Sequence, residues 1–380
     1  MEYKYLYIDD DPDAEDAESL FADEFGEDSL VTKFSKSIAE WDKQQEKLEE
    51  ETYDGIMVDL NLNDQRPPTD DQAKYSGTEI AQRLRTKSIT NAWPVVLYSA
   101  NANIDFWTEN KKSGLFDMCI SKDWNNKKSF AIKLYSLAKA YKIIQNKEIN
   151  FECDNPDIIK EEINKYNKQL FVIDDLDKIN KPFADYLQQI SSNPTYIIAQ
   201  FILNEFICKQ GILIDEEVLA ARLGIDKDAS SDWNIVLEKL DFAKYKGIFS
   251  EGWPRWWMFK IEKWWNGELK CEDYLISTPA EERVKVIKEI LKVYNITPAK
   301  PLPKAESDLF WTVCKGFHKP LDPVDGLVIQ GQENLFSWQE TEYVSIEAAL
   351  IKKNHKEWNK IAAIEQYHFE KIRKFYEKED

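Results

Sequence analysis

A cluster of carboxylates, a hydroxyl and a lysine stand where chemistry could be done. The chain places Asp9-Asp10-Asp11 directly after the aromatic and aliphatic run Tyr3–Ile8. Asp59 follows Gly55–Val58, Ser99 follows Val95–Tyr98, and Lys122 follows Met118–Ser121. Carboxylates brought together repel one another, and a cation among them relieves the repulsion. A hard divalent ion such as Mg²⁺ takes oxygen ligands in near-octahedral geometry and uses few protein carboxylates. A lysine and a small hydroxyl at the rim would complete a site suited to a phosphoryl group.

For these residues to meet, each must end a strand of one parallel sheet. The hydrophobic pattern predicts strands over Tyr3–Asp9, Ser29–Phe34, Gly55–Leu60, Pro94–Ser99 and Met118–Ser121. Helices are expected between and after them, over Pro12–Phe25, Ser37–Glu50, Gly77–Thr86, Asn103–Lys112 and Asn126–Ile144. Successive strand–helix units imply a doubly wound α/β fold with a parallel sheet covered on both faces. In such sheets the polar site lies at the carboxyl ends of the strands.

The segments YIDDDP, DGIMVDLNL, VVLYSA and ISKDW, in that order, resemble the signatures of response regulator receiver domains of two-component signalling. The resemblance spans residues 1–145 and implies a (βα)5 receiver fold. It implies that Asp59 accepts a phosphoryl group from a histidine kinase or phosphotransfer protein. It further implies that Asp10 binds Mg²⁺ directly, Asp9 through water, and Asn61 through its backbone carbonyl. Lys122 would pair with the phosphoryl oxygens, and Ser99 would hydrogen-bond the phosphorylated state. A receiver catalyses only its own phosphorylation and dephosphorylation; for the C-terminal region, which has no recognisable catalytic site, the alternatives to protein contact are a DNA-binding regulator acting through a winged helix and an effector enzyme of unfamiliar type. Receiver domains also occur fused to unusual C-terminal regions in anti-phage signalling, a context the resemblance suggests. Three departures stand out. Asp123 follows the lysine where the family has Pro. Cys119 stands where the family has an aromatic toggle. The loop Asn61–Ser76, with Pro67-Pro68 and Asp70-Asp71, is about ten residues longer than a βα connection needs.

Composition bounds the rest. The chain has 380 residues, 43% apolar and 13% aromatic, enough for sizeable cores. Its apolar runs fall short of the roughly 18 residues that span a bilayer, and MEYKYLYIDDDP lacks a signal-peptide layout. Five scattered cysteines without a CxxC pair read as reduced thiols, so a cytoplasmic protein is expected. The net charge is −19, of which residues 1–60 contribute −15. Nucleic acid would be repelled there. The histidines His318, His355 and His368 lie in no kinase-like setting, so the phosphoryl donor is another molecule.

The C-terminal two-thirds is read as a linker (146–168), a helical domain (169–295), a Pro-rich connector (296–307) and a C-terminal segment (308–380). A strand is expected at Gln169–Ile173, ending at Asp174-Asp175; no GxxxxGK[ST] accompanies it, which argues against an ATPase. Tyr196–Lys209, Ile212–Ile214, Asp215–Gly224, Ser231–Leu240 and a hairpin within Gly247–Phe259 have the order of a winged helix. Residues Asp226–Lys246 hold five acidic and four basic side chains, so protein contact is favoured over DNA. The tryptophans Trp253, Trp256, Trp257, Trp264 and Trp265 read first as an aromatic core and second as a patch for a protein partner. A capping box is expected at Ser277–Glu282. Cys314 and His318 read as structural residues, and Ser345–Glu377 as one long charged helix.

Overall fold

The run YKYLYID alternates across a strand, and every residue but Lys4 is buried in it. This strand, β1 (Tyr3–Asp9), lies in a five-stranded parallel sheet with β2 (Leu30–Lys36), β3 (Gly55–Val58), β4 (Val95–Ser99) and β5 (Met118–Ser121). The computed structural model describes residues 2–11, 30–63, 72–87, 93–100, 114–122, 126–146, 156–174, 176–269, 273–352 and 361–376. The helices expected over Pro12–Phe25 and Asn103–Lys112 lie outside these, as do Asp123 and His355. The strand order is β2-β1-β3-β4-β5, and the register pairs Asp9 with Lys36 and Ser99 with Ser121. All four residues of β3 are buried, as a strand covered on both faces requires. This is the doubly wound α/β fold expected, with its reversal of strand order beside β1.

Among the described residues, three helices carry the layers: α1 (Trp41–Glu49), α2 (Gly77–Lys87) and α3 (Lys127–Gln145). Asn126 caps α3 by accepting from the Ser129 amide, which satisfies one orphan donor of the first turn. Leu134, Leu137, Ala138 and Tyr141 then lie buried along one face. At the amino ends of the strands, Asp117 is buried and accepts four hydrogen bonds. Its donors are Arg85 Nη2 (2.7 Å), the Val95 amide (2.7 Å), the Tyr141 hydroxyl (2.6 Å) and Gln200 Nε2 (3.0 Å). Arg85 also donates to the carbonyls of Leu115 and Trp93.

The chain divides into two compact units, Met1–Asn204 with Lys246–Trp253, and Glu205–Tyr245 with Pro254–Asp380. In the first, α4 (Pro156–Phe171), α5 (Lys181–Ile190) and α6 (Thr195–Phe201) follow the sheet. The strand expected at Gln169–Ile173 is instead the last turn of α4 and its exit. Leu170 and Phe171 are fully buried on a helix face, and Val172 turns the chain at φ 52°. A short apolar run does not by itself separate a strand from a buried helix end. Asp174 then pairs with Lys168 at 2.6 Å on the surface. The segment 246–253 belongs to this unit: Ile248 donates its amide to the Leu170 carbonyl, and Glu251 pairs with Lys139.

The second unit is helix-rich with short strands. Its helices are α7 (Glu216–Arg222), α8 (Trp233–Lys239), α9 (Met258–Lys263), α10 (Ala280–Leu291), α11 (Ile346–Lys352) and α12 (Gln366–Tyr376). The strand β6 (Leu213–Ile214) pairs antiparallel with Trp256–Trp257, and Trp256 bridges to Lys244. The expected hairpin within Gly247–Phe259 is therefore reduced to Trp256–Trp257, because the chain turns helical at Met258. Trp256, Trp257, Trp264 and Trp265 are all buried, so the core reading of the tryptophans holds for these four. The capping box does not form: Pro279 precedes α10 without a side-chain cap, and Thr278 bonds back to the Tyr274 carbonyl. The long terminal helix is also corrected. Ser345 ends a strand, α11 covers Ile346–Lys352, and Ile361 bridges to Ile329 before α12 begins. Cys314 is buried against Ser345 while His318 faces Glu217 at 3.3 Å, so no thiolate–imidazole pair exists. No helix among the described residues is long and apolar enough to cross a membrane.

The Asp117 network gives a stability prediction. Arg85→Met leaves a buried carboxylate without its cation, which costs about 3 kcal/mol. Thermal unfolding should show a lower Tm for the transition that involves the first unit.

Candidate functional site

Each strand of the sheet delivers its last residues to the same edge. Asp9 ends β1 and Asp10 follows it, Asp59 follows β3, Ser99 ends β4, and Lys122 follows β5. Carboxylate oxygens of Asp9, Asp10 and Asp59 come within 4.8 Å of one another, and all three residues are buried. Lys122 Nζ sits between two of them, 2.6 Å from Asp9 Oδ2 and 2.9 Å from Asp59 Oδ2. Burial works against the Lys122 ammonium, but hydrogen bonds and charge from Asp9 and Asp59 outweigh it and raise its pKa above the ordinary lysine value.

Backbone amides complete the acids. The Asp11 amide donates to Asp9 Oδ1 at 3.0 Å, and the Leu60 amide donates to Asp59 Oδ1 at 2.6 Å. Ser99 is buried, and its carbonyl accepts from the Lys122 amide at 2.9 Å, which ties the hydroxyl-bearing strand end to the lysine. Asn61 lies two residues past Asp59, half-buried, where the chain leaves β3. Gly77 returns the chain to that edge. Its amide donates to the Leu60 carbonyl at 3.0 Å, and a Cβ there would fall 2.1 Å from the Asp59 carbonyl oxygen. Only glycine allows so close a backbone approach. Much of the long connection between Asn61 and Ser76 lies outside the described residues.

The structure adds a residue that pattern reading passed over. The Tyr7 hydroxyl donates to Asp9 Oδ2, the oxygen that Lys122 also contacts. Burial, then the charge and hydrogen bond of Asp9, push the Tyr7 phenol far above its ordinary value, so it is a permanent donor. The signal was present in the alternation of YKYLYID, since residues two apart on a strand share a face. Tyr7 also meets Tyr98 edge-on at 5.5 Å, and Tyr98 stacks on Phe130 of α3 at 5.6 Å.

The donor set tests well for a hard cation. Among the described residues it offers the carboxylate oxygens of Asp9, Asp10 and Asp59, and oxygen donors suit Mg²⁺ rather than a softer metal. A phosphoryl group would in addition meet the ammonium of Lys122.

No protein-family model matches the chain. No curated protein matches it either. Among solved structures, it is similar to a sensor protein from Polaromonas sp., with 22% identity over 36% of this chain and 96% of that one, TM-score 0.28. It is similar to a CheY-like response regulator receiver domain from Methylobacillus flagellatus, with 17% identity over 33% and 90%, TM-score 0.24. A third is the RcsB response regulator of Salmonella typhimurium, in a structure titled for its DNA interaction, with 12% identity over 52% and 92%, TM-score 0.27. The parallel sheet in the order β2-β1-β3-β4-β5, with acids at its carboxyl edge, fits a receiver domain.

Lys122→Met removes the cation that Asp9 and Asp59 share beside a third buried carboxylate. At neutral pH the loss is about 2 kcal/mol, below the buried-pair range because the lysine is partly solvated. The raised pKa means that the Lys122 contribution is complete below about pH 10 and is lost only as pH rises further. Thermal unfolding of wild type and variant should therefore differ at pH 7, and the gap should persist through the ordinary lysine range at about pH 10 and close only above it. Added Mg²⁺ should narrow the gap at pH 7.

Proposed function

We propose, from the premise that the N-terminal unit has the receiver fold, that this chain is a two-component signalling protein phosphorylated on Asp59. The donor is a phosphohistidine on a partner histidine kinase or phosphotransfer protein. The observation that carries this reading is the Lys122 ammonium shared by Asp9 and Asp59 beside a third buried carboxylate. Such a cluster is poised for an anionic group that arrives with a cation.

In the proposed reaction an Asp59 carboxylate oxygen attacks the phosphorus. The P–O bond forms as the P–N bond to the donor imidazole breaks, and the bonding pair leaves with the ring nitrogen, which is protonated from solvent. Carboxylates are established covalent nucleophiles. Transfer of this kind depends chiefly on positioning and charge neutralisation. Asp10, Asp9 through water, Asp59 and the Asn61 carbonyl would hold Mg²⁺, which supplies neutralisation of charge on the phosphoryl oxygens. Lys122 moves from its shared position to a phosphoryl oxygen, and the Ser99 hydroxyl donates to another. The Leu60 amide keeps Asp59 Oδ1 oriented throughout.

The chain's own catalysis is confined to gaining and losing this group. Its output would run through protein contacts of the C-terminal region. Support comes from α8, where Glu238 and Lys239 cancel and Ile235 is exposed, since a surface of that kind offers phosphate backbone little counterion-release affinity.

Incubation with acetyl phosphate and Mg²⁺ should add about 80 daltons per chain, the mass of one phosphoryl group. Intact mass spectrometry should find the addition in wild type and none in Asp59→Asn. An unmodified wild type under these conditions would remove the reading.

A further inference from the structure

The acid cluster contains a donor that its proposed chemistry does not yet use. Asp9 has a fully buried side chain, and among the described residues three groups meet its carboxylate: Lys122, the Asp11 amide and the Tyr7 hydroxyl. Two of the three meet on the same oxygen, Oδ2. One is a mobile ammonium on a flexible stem. The other is a phenol fixed in the sheet, fully packed and edge-on to Tyr98.

This division of labour matters when Lys122 moves. A buried carboxylate that loses its only side-chain donor bears a heavy desolvation cost. Lys122 would then be held on Asp9 and would compete with any cation or phosphoryl group entering the site. With Tyr7 in place, Asp9 keeps a neutral donor on Oδ2 and a backbone donor on Oδ1 after the ammonium departs. The phenol brings no positive charge, so it does not oppose an incoming cation.

We propose that Tyr7 is a positioning residue of this site: its hydroxyl holds the Asp9 carboxylate in place so that Lys122 can leave it and a divalent cation can enter. This rests on the phosphoacceptor reading of Asp59 for its biological purpose, but its physical content concerns cation binding and is tested separately.

Neighbouring tyrosines supply the control. Tyr5 lies two residues earlier on the same strand face and is equally buried, but its hydroxyl donates to the Leu134 carbonyl at 2.8 Å, away from the acids. Removing either hydroxyl costs a buried hydrogen bond. Only the loss at Tyr7 should alter cation binding.

The experiment is a Mg²⁺ titration of the full chain, read as the rise in Tm with Mg²⁺ concentration, which reports binding without any turnover. Tyr7→Phe should raise the Mg²⁺ concentration for half-effect about tenfold, the scale of one hydrogen bond to a charged acceptor. Tyr5→Phe should lower the Tm without Mg²⁺ yet keep the wild-type half-effect. Should Tyr7→Phe not fold, Tyr7→Met removes the same hydroxyl and is read in its place. The same half-effect in the Tyr7 variant as in wild type, or an equal rise in Tyr5→Phe, would overturn the proposal. The acetyl phosphate reaction is then followed as a function of Mg²⁺. Tyr7→Phe should need more Mg²⁺ but approach the wild-type rate at saturation. If wild type binds Mg²⁺ with the Tyr7 dependence but takes no phosphoryl group, the phosphoacceptor reading fails and the positioning role stands.

Discussion

One ammonium group lying between two buried carboxylates is the interaction on which the first unit's site depends. Without Lys122, the Asp9 and Asp59 side chains and the neighbouring Asp10 would be three like charges sharing a small volume with little water. Repulsion of that kind either protonates an acid or spreads the strand ends. The lysine holds the ends together while leaving the oxygens aimed at a common point. It is partly exposed where the acids are buried, so it is the member of the cluster able to move.

The sheet makes this possible from both of its ends. At the carboxyl edge, Lys122 answers the acids from β1 and β3. At the amino edge, Arg85 on α2 answers Asp117 ahead of β5, and the same carboxylate accepts from Val95 at the start of β4. Ion pairs hold β5 at its two ends, Asp117 to Arg85 before it and Lys122 to Asp9 and Asp59 after it, so the position of Lys122 relative to Asp59 is set by more than its own loop. Tyr141 of α3 and Gln200 of α6 donate to Asp117 as well, and the helices after the sheet are thereby tied into its foundation.

Aromatic residues serve two different purposes. In the second unit, Trp257 and Trp265 are among the largest fully buried side chains and fill a core. In the first, tyrosines on β1 and β4 stand next to charge. Cys119 leaves β5 without an aromatic ring near the lysine. Tyr98 on the adjacent strand instead links Tyr7 to Phe130 of α3 by ring contacts. Aromatic packing at this site therefore approaches the acids from β1 and β4.

Much of the first unit was legible in the amino-acid order. Parallel strands buried on both faces leave apolar runs that are hard to mistake, and β1 and β5 fall where the pattern puts them. A residue just past such a run must lie at the carboxyl edge, so Asp9, Asp10, Asp59, Ser99 and Lys122 could be assigned to one rim before any coordinates. Their mutual distances could not, because those depend on strand order and register. Tyr7 was hidden by its type, since a tyrosine within a buried strand reads as core until its hydroxyl is seen to reach an acid. In the second unit the pattern was weaker for a physical reason: its strands are two or three residues long, held by contacts far apart in the chain. There the terminal charged stretch could run on or break at Ile361, and at the end of α4 in the first unit Leu170 and Phe171 could belong to strand or helix. Local propensity left those choices open, and tertiary packing made them.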